Sequence, residues 1–127
     1  QYYSPDGKYI ANSTGDTLFL IDAATLTVVD AEPMANLEET HDAIFTPDGK
    51  YAIVTSRTKA VLEGCKEPAK PADGEWRMDG QLKLYDVTAR KFVGEPVSTC
   101  LACHDKELGT DADAPHAVLC GIDVNWK

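Results

Sequence analysis

The chain has 127 residues, 43% hydrophobic and 26% charged, with a formal net charge of −9, which is one domain's worth of polypeptide with a single modest core. This acidic balance argues against nucleic acid as a partner, because its phosphates need a surface lined with lysine and arginine. It leaves an ordinary solvated exterior or a face that steers a basic partner, and no run of about 18 apolar residues exists to span a membrane.

The first punctuation is Ser4-Pro-Asp-Gly-Lys-Tyr9. Proline presets φ, aspartate bonds its own backbone and glycine accepts positive φ, so the stretch reads as a turn between two strands. Strands are expected at Tyr9-Ile-Ala and at Leu18-Phe-Leu-Ile-Asp22. After a turn at Asp22–Thr25, a further strand is expected at Leu26-Thr-Val-Val29. His41-Asp-Ala-Ile-Phe45 then leads into Thr46-Pro-Asp-Gly-Lys-Tyr51, the first turn repeated at an offset of 42. Leu82-Lys-Leu-Tyr-Asp86 repeats the Leu18 strand at an offset of 64, with its own turn at Asp86–Ala89 and a strand from Lys91. The growth in offset places a long loop insertion at about 57–79, carrying Cys65, Trp76 and Met78. His116-Ala-Val-Leu-Cys120 echoes the His41 strand at an offset of 75.

Repeats of this length point to propeller blades or similar arrays. The expected organisation is all-β, in antiparallel propeller-like units. A first unit covers 1–40 and a second 41–98; a connector follows at 99–115, and 116–127 begin a third unit or supply a closing strand. No helical periodicity interrupts the pattern.

The connector contains Cys100-Leu-Ala-Cys103-His104, which resembles the attachment signature of c-type cytochromes. That chemistry needs this spacing, because two thiols add across two vinyl groups and the next residue lies under the iron. The resemblance implies haem c, with Cys100 and Cys103 as thioether positions and His104 as the proximal ligand. For the distal position His116 is the first choice and His41 the second, with Met34 and Met78 as thioether alternatives. Histidine there would give a lower potential than methionine. The plainer reading of His116 is a strand-start histidine bonded to a carbonyl.

Zinc competes for the same residues, since Cys100-x2-Cys103-x12-His116-x3-Cys120 is a Cys3His set of the kind tetrahedral zinc accepts. It would leave His104 surplus and Cys65 free, and the intervening 105–115 lacks the apolar core of a finger. If haem takes Cys100 and Cys103, then Cys65 and Cys120 remain to form a disulfide. Four cysteines in a short chain permit an oxidising compartment. A start at Gln1 without methionine fits a mature protein stripped of its signal, and equally a piece of a longer chain. Asp105, Glu107, Asp111 and Asp113 lack the glycine and distal glutamate of a calcium loop. No Ser-His-Asp set or glycine-rich phosphate loop is present.

The Ser/Thr-Pro-Asp-Gly-Lys-Tyr turns, each ahead of a strand ending in aspartate, resemble those of YVTN-type β-propellers. The likeness covers about residues 1–56 and 80–98, with an echo at 115–127. It is structural and brings no catalytic residues. Two blades and a fragment cannot close a ring, so the resemblance implies partners: other subunits or chain segments that complete the propeller, and a redox partner protein. Similar propellers accompany haem centres in bacterial amine dehydrogenases and nitrite reductases. The expected function is therefore an extracytoplasmic (periplasmic or extracellular) electron-transfer protein, or the haem-bearing section of a larger redox enzyme, rather than a stand-alone catalyst. The alternative is a non-redox propeller segment that binds partners, with a structural zinc site or disulfides.

Overall fold

A computed structural model describes residues 1–35, 38–58, 79–98 and 122. These residues form two four-stranded antiparallel meanders. The first sheet is β1 (Tyr2–Tyr3), β2 (Tyr9–Thr14), β3 (Thr17–Asp22) and β4 (Val28–Pro33); the second is β5 (Glu38–Phe45), β6 (Tyr51–Thr58), β7 (Asp79–Asp86) and β8 (Lys91–Ser98). Among the described residues there is no helix, hence none long and apolar enough to cross a membrane. The described residues are all-β and antiparallel, as expected, in two units of four strands each.

The repeated turns close through the same circuit. In the first, the Ser4 hydroxyl donates to Asp6 Oδ1 at 2.8 Å, Lys8 N–H to the same oxygen at 3.1 Å, and Tyr9 N–H to Ser4 Oγ at 2.9 Å. Thr46, Asp48, Lys50 and Tyr51 repeat all three bonds, at 2.7, 3.1 and 3.1 Å. Gly7 and Gly49 take φ of +72° and +68°, a region that costs a Cβ-bearing residue energy. The Ser4 hydrogen bond leads the causes that lower the Asp6 carboxyl to about 2.

The second type of turn is held by Asp22, whose Oδ1 accepts from Ala24 N–H and Thr25 N–H, and by Asp86, which accepts from Thr88 and Ala89 in the same way. Leu26 and Arg90 close these turns at φ of +56° and +54°. The strand expected from Leu26 therefore begins later, at Val28. The apolar side chain of Leu26 does not bring it into the strand, because the turn that precedes it sets its backbone at positive φ. The expected insertion also shrinks at both ends, because Arg57 pairs with Gly80 and Thr58 with Asp79 across β6 and β7. Residues 59–78, the connector 99–115 and most of 116–127 lie outside the described residues.

The sheets stack with unlike faces together. One row across the first sheet, Tyr2–Ala11–Leu20–Asp30, follows from its register. It looks toward a row across the second, Phe45–Ala52–Tyr85–Phe92. Ala11, Leu18 and Leu20 join Ala43, Phe45, Ala52, Val54, Tyr85 and Val87 in a single buried cluster, with Phe92 packed against it. Each buried leucine contributes about 1.5–3 kcal/mol. By the repeat offsets, Ala11 and Leu20 correspond to Ile53 and Leu84, which lie on the opposite face of the second sheet from Ala52 and Tyr85. The contact is thus front against back, as in a stack, and not front against front.

Polar contacts tie the seam. Tyr85 donates its hydroxyl to Asp30 Oδ2 at 2.5 Å, Arg90 Nη1 donates to the Val29 carbonyl at 3.0 Å, and Thr40 N–H donates to the Gly15 carbonyl at 2.7 Å. Burial, and then the Asp30 bond, push the Tyr85 hydroxyl above its ordinary range, so it stays a donor. The Tyr85 ring meets Phe92 edge-on, with centroids 5.8 Å apart.

Tyr85→Phe keeps the packing and removes the donor. Unfolding free energy from urea titration is expected to fall by about 1–2 kcal/mol. An unchanged midpoint would show that the Asp30 contact does not hold the sheets together.

Candidate functional site

The second sheet gathers the site-bearing segments at one end. Its register runs Thr40–Ser56–Gln81–Ser98 across all four strands. The insertion carrying Cys65 leaves β6 at Thr58 and returns to β7 at Asp79, at this end. The segment carrying Cys100 leaves β8 here too, since Ser98 is two residues before that cysteine.

His41 is at the same end, exposed on β5, where the ladder shifts register between Thr40 and Asp42. Such a bulge re-aims side chains at a sheet edge. Its neighbour Asp42 accepts from the backbone N–H of Ile122 at 3.4 Å, through Oδ2. Ile122 is two residues past Cys120. Ile122 is thus placed against the second sheet, next to His41, and Ser98 ends the last strand of the same sheet.

Cys65, Cys100, Cys103, His104, His116 and Cys120 themselves lie outside the described residues, as does Met78. The same holds for the zinc set and the Cys65–Cys120 pairing. Met34 is buried just after β4, with its N–H bonded to the Asp16 carbonyl at 2.7 Å. Among the described residues, no three of His, Cys, Asp and Glu gather closely enough to hold a metal ion. Asp22 and Asp86 are occupied in their turns, as their strand-end positions imply.

Sequence reasoning missed a buried ion pair beneath this end of the sheet. Lys83 Nζ bonds Glu38 Oε2, and the two side chains are only 10% and 6% exposed. Glu38 also accepts from Ser56 Oγ at 3.3 Å and from Ala35 N–H at 3.1 Å, while the Lys83 ammonium sits 5.5 Å from the Phe92 ring centre. A signal existed: the Leu18/Leu82 alignment puts Lys83 where the first unit has Phe19. A cation at an apolar place in a strand repeat needs a buried anion. Nothing in the sequence said that the anion would be Glu38, 45 residues away.

No protein-family model and no curated protein matches the chain. Among solved structures it is similar to hydrazine synthase from Kuenenia stuttgartiensis, at 26% identity with a TM-score of 0.49, over 76% of this chain and 27% of that one. The chain thus spans about a quarter of that protein chain's length.

Lys83→Met leaves the Glu38 carboxylate buried without its cation and is expected to cost about 3–5 kcal/mol of stability. Adding Glu38→Leu removes the stranded charge and should restore part of that loss in the same urea titration. A double variant less stable than the single one would contradict this account.

Proposed function

We propose that the chain is an extracytoplasmic c-type cytochrome section built on YVTN-type propeller blades, passing electrons within a larger redox assembly. The observation that carries the reading is Cys100-Leu-Ala-Cys103-His104. The donor set fits haem by its own chemistry. Two thiols at this spacing form two thioethers, and the adjoining imidazole supplies one strong axial nitrogen. Bound there, haem supplies one-electron transfer.

The rest is the work of the chain. Ser98, two residues before the motif, and Ile122, two residues past Cys120, both lie at the second sheet, which supports a site carried by a connection on a sheet scaffold, where loops most readily carry chemistry. His116 lies within the connector and is the first choice for the distal nitrogen. The rim position of exposed His41, beside the Asp42–Ile122 contact, keeps it as the second. If Cys65 and Cys120 join, they tie the 59–78 insertion to the returning strand. The acidic surface, at a net charge of −9, suits a basic redox partner whose association weakens with salt. Further sheet units complete the propeller around these two.

Expressed with a periplasmic haem-attachment system, the chain should show a Soret band and a sharp reduced α band that survive acid-acetone extraction. Cys100→Ala is expected to lose most of the covalently retained haem while the sheets keep their far-UV spectrum. His116→Ala should alter the oxidised EPR spectrum; an unaltered spectrum there, with a change in His41→Ala, assigns the distal nitrogen to His41. A colourless preparation holding stoichiometric zinc would replace the reading with a structural Cys3His site.

A further inference from the structure

We propose that the Arg57 guanidinium holds one propionate of the haem at the Thr40–Ser56–Gln81–Ser98 end of the second sheet. This deepens the cytochrome reading and rests on it. Arg57 is the penultimate residue of β6, opposite Glu39 on one side and Gly80 on the other. Its Nε is buried and has no hydrogen-bond acceptor among the described residues. Glu39 does not supply one, because its Oε2 lies 3.7 Å from Nη2, an ion pair beyond hydrogen-bond length. A guanidinium cannot shed its charge, so a buried N–H on it is costly until an acceptor arrives. The neighbouring charged groups are already engaged. Lys83 is bonded to Glu38, and the Asp42 carboxylate takes the N–H groups of Ala43 and Ile122. Arg57 keeps unused donor capacity, and 16% of its side chain remains open to solvent.

The ligand that fits Nε beside an Nη is a carboxylate, whose two oxygens take the two N–H groups in parallel. Position selects which carboxylate. Arg57 is two strands from Ser98, about 10 Å at the usual strand spacing, and Ser98 is two residues before Cys100. The repeat points the same way. By the offsets of 42 and 75, Arg57 and Pro115 correspond to Gly15 and Thr40. In that earlier pair the Gly15 carbonyl accepts from the Thr40 N–H at 2.7 Å and from its hydroxyl at 3.2 Å. Proline has neither donor, so the bond is not repeated, and a cation stands instead where the connector ends. A haem attached at Cys100 and Cys103 brings two propionates to this end. In a chain of net charge −9 such a carboxylate needs a local cation, and Arg57 supplies it.

The bond has an electrical consequence. Ferric haem carries one more positive charge than ferrous haem. A propionate left without its cation therefore favours the ferric form, and one paired with Arg57 does so less.

The test is a spectroelectrochemical titration of the haem-loaded chain at one pH and one salt concentration. Arg57→Gln should lower the midpoint potential, and Arg57→Lys, which keeps the charge, should recover most of that loss. Lys50→Gln removes an equal charge from the exposed turn at the opposite end of the sheet and should leave the potential in place. The oxidised EPR spectrum should be the same in all four proteins, since the contact is to a propionate and not to the iron. An unchanged potential in Arg57→Gln, an equal fall in Lys50→Gln, or an altered EPR spectrum in Arg57→Gln would each overturn the proposal. Should Arg57→Gln lose the fold, the wild type with haem labelled by carbon-13 at both propionate carboxyls reads the same contact. Its two labelled infrared bands should differ, one guanidinium-bound and one in water; coincident bands would overturn the proposal. A wild type with no Soret band fails the haem reading and this proposal with it, whereas a red wild type whose potential ignores Arg57 fails only the proposal.

Discussion

Everything else in this molecule depends on an unlike-face contact between two sheets made from one repeated template. A sheet must bury one face to be stable, and here the first uses Ala11, Leu18 and Leu20 while the second uses the positions that alternate with their equivalents. Small residues at Ala11, Ala43 and Ala52 let β2 and β5 lie close, and the large groups Leu20, Phe45 and Tyr85 fill the space on either side. The Tyr85–Asp30 bond then fixes which strand meets which, because a hydroxyl buried without its acceptor would be costly. Stacking of this kind never satisfies itself: each added sheet covers one face and presents another.

The same arrangement places the candidate site. With the second sheet fixed against the first, the Thr40–Ser56–Gln81–Ser98 end becomes the end from which the 59–78 insertion and the cysteine-bearing connector both depart. The buried Lys83–Glu38 pair spans from β7 to the start of β5 near that end. It orders the entry of β5, and with it the bulge that carries His41 and Asp42. Ser98 and Ile122, on either side of residues 99–121, both belong to or touch this one sheet.

What could be read from sequence follows the range of the interaction concerned. The Pro-Asp-Gly turns were legible because their hydrogen bonds join residues two to five apart, and the side chains that make them are in plain view. The alternation of Leu18-Phe-Leu-Ile and Leu82-Lys-Leu-Tyr gave the strands for the same reason. The start of β4 was misplaced because a leucine at left-handed φ leaves no compositional trace; only the preceding Asp22 turn forces it. The seam was out of reach: Asp30 and Tyr85 are 55 residues apart, and neither is unusual in its own strand. The Cys-x-x-Cys-His spacing was legible because the covalent chemistry proposed for it requires neighbours in sequence. A distal ligand for the proposed haem was not, since folding would select it and His41 and His116 satisfy the chemistry equally.

The most direct test of the central claim is the mass of the intact, denatured chain purified from a host that attaches haem. The account predicts the polypeptide mass plus one covalently held porphyrin with its iron, with Cys100 and Cys103 both unavailable to thiol reagents. A mass equal to the bare polypeptide, with both thiols reactive, would contradict it.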